Sequence, residues 1–385
     1  MSVGSAATPG GRRSSMKRDG IAEGDAALPP TDDLSIESYS PLISPALLRE
    51  EIPMTRRSAA AVTRGRELAA DILSRRDDRL LVVVGPCSLH DPKAALEYGA
   101  LLAPVAARLA PDLHIVMRAY FEKPRTTVGW KGLINDPDLN GSFNINKGLR
   151  TARRLLCDVT ELGVPVGCEL LDTISPQFIA DLVSWGAIGA RTTECQLHRE
   201  LASGVSFPIG FKNGTNGDVQ IAIDAMWASS HPHVFLGVNA HGLATICRTR
   251  GNDCVHMILR GGAHATNYDE QSVGDCLERI ARSGVGNPAV MVDCSHGNSR
   301  KVHTNQPVVC AEVARQVANG NSGLVGVMIE SNLKGGNQKL SKEGGLAALE
   351  YGQSITDACV SWADTVPMLE QLAQAVRDRR KHLPV

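Results

Sequence analysis

Eight residues able to bind a metal or an anion stand at the ends of short apolar runs: Cys87, Arg118, Glu169, Arg191, Lys212, Arg260, His296 and Glu330. They divide into two chemistries. Cys87, His296 and Glu330, joined by Asp357 of "SITDAC", are candidate metal ligands. A thiolate with imidazole and carboxylates suits Mn, Fe, Co or Zn better than Mg or Ca. Arg118, Arg191, Lys212 and Arg260 are cations that would repel around a common centre unless an anion sat among them. A phosphate plus a carboxylate is the natural occupant. Each residue taken singly has a plainer reading, Cys87 as core filler and each charge as a solvated loop end.

A further cluster lies in "YFEKPRTTVGWKG", residues 120–132. Lys123, Arg125, Thr126 and Thr127 offer two cations and two hydroxyls, beside Pro124, which limits the backbone. Such a loop can hold a second phosphate, whereas a bare charged loop is the alternative. "FKNGTNG" lacks the spacing of a phosphate-binding glycine loop and reads as a turn. A metal with room for two phosphate groups suggests carbon–carbon bond formation between two phosphate esters.

These residues are far apart in sequence, so the fold must gather them. The runs "LLVVVGP", "HIVMRAY", "PVGCELL", "AIGART", "PIGFKN", "HMILRGG", "AVMVDCSH" and "LVGVMIES" are apolar without alternation, as expected for strands buried on both faces. Most are separated by helical segments such as "NINKGLRTARRLLCDVTELG" and "SPQFIADLVSW". This pattern predicts an α/β fold, a (β/α)8 TIM barrel, whose chemistry gathers at the C-terminal strand ends. A doubly wound open sheet is the alternative, weakened by the lack of GxGxxG after the first strand. Between "PIGFKN" and "HMILRGG" the run "HVFLGVNAHGLATICR" reads as an inserted β-hairpin at about 233–249, turning at Asn239, His241 and Gly242. Residues 1–35, rich in Gly, Pro, Ala and Ser, read as a flexible N-terminal arm before a single barrel domain over 36–385.

Composition sets limits. The 385 residues are 43% hydrophobic and 21% charged, with a formal net charge of -1. That charge attracts neither nucleic acid nor an anionic membrane, and no apolar run has transmembrane length. Ten cysteines without a CxxC pair read as reduced thiols in a cytoplasmic protein. "GGRRSSMKRDG" is Arg- and Ser-rich like a transit peptide, but the acidic residues that follow favour an extended arm.

At these motifs the sequence resembles the type I 3-deoxy-D-arabino-heptulosonate 7-phosphate synthases, which open the shikimate pathway. The matching stretches are "GPCSLHDP", "MRAYFEKPRTTVGWKGLINDP", "GARTTE", "PIGFKNGT", "ILRGG", "DCSHGNS", "GVMIESN" and "YGQSITDAC", in order from about residue 40 to 365. Cys195 stands where serine is expected, and the loop "LKGGNQKLSKEGGLAALE" is slightly long. The resemblance implies condensation of phosphoenolpyruvate with erythrose 4-phosphate and water, releasing phosphate. It implies a divalent metal on Cys87, His296, Glu330 and Asp357. It implies phosphoenolpyruvate against Arg118, Arg191, Lys212 and Arg260, with Glu169 ordering water. It implies erythrose 4-phosphate along Lys123, Arg125 and Thr126, with Lys123 protonating the new alkoxide. It also implies an aromatic amino acid inhibitor near the hairpin, with Pro176, Gln177, Ser206, Phe235 and Gly237 as regulatory residues, in a homodimer or homotetramer. Glycine at 237, where it leaves open space, goes with tyrosine; serine goes with phenylalanine, and tryptophan stays open. Two other readings compete: a sugar-acid phosphate synthase using another aldose phosphate, and a non-catalytic aromatic amino acid sensor. The sensor would have lost a ligand or an anion-binding arginine, and none is lost here.

Overall fold

The computed structural model describes residues 29–286, 288–340 and 345–382. Residues up to Pro41 group as a unit of their own, and Leu42–Val385 form a second. Most of the expected N-terminal arm lies outside the described residues. The described part of the first unit, 29–41, contains no helix or strand.

The second unit is built on strands β1 (Leu80–Gly85), β2 (Leu113–Arg118), β3 (Val166–Glu169), β4 (Trp185–Ile188), β5 (Ile209–Lys212), β6 (Val234–Val238), β7 (Ala244–Arg248), β8 (Val255–Leu259), β9 (Val290–Asp293), β10 (Leu324–Asn332) and β11 (Val360–Ser361). Its helices are α1 (Pro45–Glu51), α2 (Arg56–Leu73), α3 (Pro92–Leu109), α4 (Ile145–Glu161), α5 (Pro176–Ile179), α6 (Gln196–Ala202), α7 (Gln220–Ser229), α8 (Glu270–Ser283), α9 (Gln306–Ala318) and α10 (Trp362–His382). The parallel order β1-β2-β3-β4-β5-β8-β9-β10 closes through β1 on β10, with Val83 opposite Met328. This closure is an eight-stranded barrel and excludes the open sheet. No helix among the described residues is long and apolar enough to cross a membrane.

The unbroken apolar runs have a simple cause. Successive side chains point to opposite faces of a strand. Leu81 and Val83 of β1 join Val116, Trp185, Ile258, Met291 and Met328 in one cluster that fills the barrel. Leu80, Val82 and Val84 join the helix layer instead. Ala69, Ile72 and Leu73 of α2 belong to the first cluster, so α2 plugs the N-terminal end of the barrel. Helix starts follow from short polar caps. Asp91 accepts from Lys93 N at 2.9 Å and precedes Pro92 at the first turn of α3. Asp269 caps α8, which ends at Gly284 with φ of 72°.

Two expected boundaries shift. "SPQFIADLVSW" forms the four-residue α5 and a 3-10 turn over Ala180–Leu182, and Trp185 already opens β4. Ser184 N donates to Val166 O, so the sheet captures the end of that run. Consequently Arg191 lies three residues beyond β4 rather than at its end. Glu330 lies inside β10, two residues before its end.

Candidate active site

Nine expected residues line one cavity of about 250 Å³ at the C-terminal mouth of the barrel: Lys123, Arg125, Thr126, Glu169, Arg191, Lys212, Arg260, His296 and Asp357. Cys87, Arg118 and Glu330 do not line it; they are buried and bonded to residues that do or to one another. Five cations and two carboxylates therefore face one small space, a surface suited to a ligand with several negative charges.

Each position has a local cause. The chain between Lys123 and Lys131 closes through Lys123 N donating to Lys131 O at 2.9 Å, and Arg191 holds this loop by donating to Pro124 O at 3.1 Å. Glu169 ends β3 and packs against Gly189, where a Cβ would collide with its carboxylate. Lys212 ends β5 and donates to Asp293 Oδ2 at 2.9 Å. Arg260 follows β8, and its backbone N donates to the buried Asn213 side chain. His296 sits at φ of 56°, an uncommon but accessible conformation for histidine. Gly297 N holds that turn by donating to Arg260 O. Asp357 is brought in by the segment ahead of β11. There Cys359 and Gly336 exchange both backbone hydrogen bonds, and Ser88 and Thr356 hydroxyls meet at 2.7 Å.

The donor set fits a divalent transition ion. Single ligand atoms of Cys87, Glu330 and Asp357 lie within 4.8 Å of one another. His296 stands outside that trio, with Nε2 3.8 Å from Glu330 Oε1. Its Nδ1 lies 2.8 Å from Asp293 Oδ2. With Nδ1 turned to that carboxylate, Nε2 is the ring nitrogen that faces Glu330. The ammonium of Lys123 already serves as a cation for the cluster, 2.8 Å from Cys87 Sγ and 3.1 Å from Asp357 Oδ2.

Electrostatics agree with this picture. Burial pushes the Cys87 thiol up to about 12, and Glu330 adds to the rise. A thiolate here therefore requires a cation beside it. For Asp357, the nearby Lys123 charge holds the carboxyl well below the usual range. Burial would raise Glu330 and Asp293, but His296, Arg118 and Lys123 outweigh it at Glu330, and His296 and Lys212 at Asp293.

Several supporting residues were not singled out in the sequence. Asp293 joins Lys212 to His296. Ser295 donates to Glu330 Oε2 at 2.8 Å. Gln306 brackets Glu330, donating to its carbonyl and accepting from its N, both at 2.9 Å. Asp293 had a signal, a lone acid three positions before His296 in "DCSH"; Gln306 had none, because its partner comes from another element.

A second cavity of about 830 Å³ is lined by all five expected regulatory residues, Pro176, Gln177, Ser206, Phe235 and Gly237. Arg49, Arg66, Asp181, Cys247 and Arg248 share it. The open space expected at Gly237 is already taken: a Cβ there would lie 2.5 Å from Cys247 Sγ. The cross-strand partner of Phe235 is Cys247, which puts that thiol on the cavity face.

Residues 52–370 match the DAHP synthetase I family. The chain belongs to the DAHP synthetase I family. Every barrel strand and every expected site residue falls inside that family match. The chain is 57% identical over 351 residues to a tyrosine-inhibited phospho-2-dehydro-3-deoxyheptonate aldolase of Candida albicans, covering 91% of this chain and 95% of that one. It is 53% identical over 355 residues to a phenylalanine-inhibited one of Saccharomyces cerevisiae, covering 91% and 96%. The solved structure of phospho-2-dehydro-3-deoxyheptonate aldolase from Francisella tularensis superposes with a TM-score of 0.87 at 50% identity, covering 90% of this chain and 99% of that one.

Proposed function

We propose that this chain condenses phosphoenolpyruvate with erythrose 4-phosphate to give a seven-carbon phosphate, 3-deoxy-D-arabino-heptulosonate 7-phosphate, and free phosphate. The observation that carries this reading is the ring of cations around one cavity, beside a thiol–carboxylate cluster, in a member of this family. Arg191, Lys212 and Arg260 hold the phosphate and carboxylate of phosphoenolpyruvate, with Arg118 behind them. Arg125 and Thr126 hold the aldose phosphate. Cys87, His296, Glu330 and Asp357 would hold a divalent metal, Mn, Fe, Co or Zn, which supplies Lewis acidity at the aldehyde oxygen.

The chain's own groups do the rest. The cationic cage aims C3 of phosphoenolpyruvate at the aldehyde carbon, so orientation replaces a rare encounter. As that bond forms, the aldehyde oxygen gains a proton from Lys123. Positive charge develops at C2, where water ordered by Glu169 adds. The resulting hemiketal phosphate loses phosphate by C–O cleavage. With heavy oxygen in the bridging C–O–P position, the label should leave in the phosphate. Label retained in the sugar acid, or phosphate release without the aldose, would overturn the mechanism.

The larger cavity is the site for an aromatic amino acid inhibitor, tyrosine first. Its arginines suit a carboxylate and its Phe235 wall suits a ring. Leu236 on the outer face of the hairpin is 88% exposed, and Val234 and Ile246 are exposed beside it. An apolar face of this kind supports a homodimer or homotetramer. The ten cysteines are all free, consistent with a cytoplasmic protein.

A further inference from the structure

We propose that Tyr120 is a positioning residue for the metal ligands, acting through Arg118. This rests on the reading of Cys87, His296, Glu330 and Asp357 as ligands. Tyr120 and Arg118 are both 1% exposed. The guanidinium carbon of Arg118 lies 4.0 Å from the Tyr120 ring centroid. Two positions separate them, so an extended backbone sets both side chains on one face. The ring belongs to the cluster that fills the barrel, packed among residues of several strands, and it cannot turn away easily.

Set over the ring, the guanidinium aims its N–H groups at the chain just after β1 and at β10. Nη2 donates to Glu330 Oε1 at 3.0 Å and to Cys87 O at 3.4 Å, and Nε donates to Pro86 O at 3.2 Å. One cation thus orients the carboxylate of one ligand and the backbone of another. Without the ring beneath it the guanidinium would keep only these edge contacts, and both ligands would loosen with it. The Tyr120 hydroxyl is buried and has no hydrogen-bond partner among the described residues. The ring is therefore the working part of the residue, held by cation–π attraction in a desolvated place.

The test uses the full-length, metal-stripped protein titrated with Mn²⁺ in competition with a chromophoric chelator, alongside thermal melting. Tyr120→Phe keeps the ring and should bind Mn²⁺ within about twofold of wild type, without loss of melting temperature. Tyr120→Leu should bind at least about tenfold more weakly, the scale of losses seen when groups supporting metal ligands are removed. Tyr120→Met, which fills similar volume without a ring, should match Tyr120→Leu and serves if the leucine variant does not fold. Wild-type affinity in the ringless variants, or equal loss in Tyr120→Phe, would overturn the proposal. A wild type that binds no Mn²⁺ would instead overturn the ligand assignment on which it rests.

Discussion

Asp293 has no path to solvent, yet it accepts from Lys212 and faces His296. It ties the anion-binding half of the mouth to the metal-binding half. Asp293→Asn keeps the shape and removes the charge that balances the buried Lys212 ammonium. Removing one partner of a buried pair costs about 3–5 kcal/mol. The variant should therefore melt lower, and its KM for phosphoenolpyruvate should rise more than that for the aldose. Equal changes in both KM values would point to a general loss of structure. Arg125→Ala, at the exposed side of the cavity, should do the reverse. Its KM for erythrose 4-phosphate should rise, with kcat/KM falling roughly ten- to hundredfold for one lost charge-assisted contact. Steady-state kinetics with each substrate varied would separate the two. The gathering of the candidate ligands and cations at one mouth was legible in the sequence because scarce chemical types closed apolar runs. Ser295 and Gln306 were not, because their partner Glu330 comes from another element.

The hairpin of β6 and β7 was legible from its turn: Asn239 Oδ1 accepts from His241 N at 2.9 Å, and Gly242 takes φ of 81°. The start of β4 was not, because "LVSWGAIG" fits the apolar demands of a helix end and of a strand equally. Pairing decided it, since Gly186 N donates to Pro208 O and Ala187 pairs with Gly210. Within the hairpin, the contact of Gly237 with Cys247 changes what a swap of side chains should do. Gly237→Ser alone must push the thiol into the larger cavity and should weaken inhibition by every aromatic amino acid. Gly237→Ser with Cys247→Ala frees the space and should move the preference from tyrosine towards phenylalanine. A misplaced hydroxyl costs about 1–3 kcal/mol in a buried pocket, enough to reverse an order. Inhibition curves for tyrosine, phenylalanine and tryptophan with wild type and both variants would decide it. An unchanged order in the double variant would remove these two residues from effector choice.

The barrel as a whole carries two neutral histidines in its wall. His256 accepts from Trp185 Nε1 at 2.9 Å, and His114 meets Gly65 O at 3.0 Å. Burial pushes both down to about 4, with the Gly65 carbonyl partly opposing this at His114. Their folded values lie below the unfolded value near 6.5. As pH falls from about 6.5 to about 4 the unfolded chain gains protons that the folded barrel refuses, so stability is lost over that window. The loss is of the order of 3 kcal/mol for each histidine at its limit. Urea midpoints should drop between about pH 7 and pH 5, and less in His256→Gln. A flat wild-type profile would contradict this. The closed barrel was legible because eight unbroken apolar runs demand burial on both faces. Phosphate release should be measured from phosphoenolpyruvate with the Mn²⁺-loaded and metal-stripped enzyme, supplying erythrose 4-phosphate or a five-carbon aldose phosphate. One phosphate should be released per phosphoenolpyruvate consumed, only with metal and with strong preference for the four-carbon aldose. Release that ignores the metal, or that favours the five-carbon sugar, would contradict it.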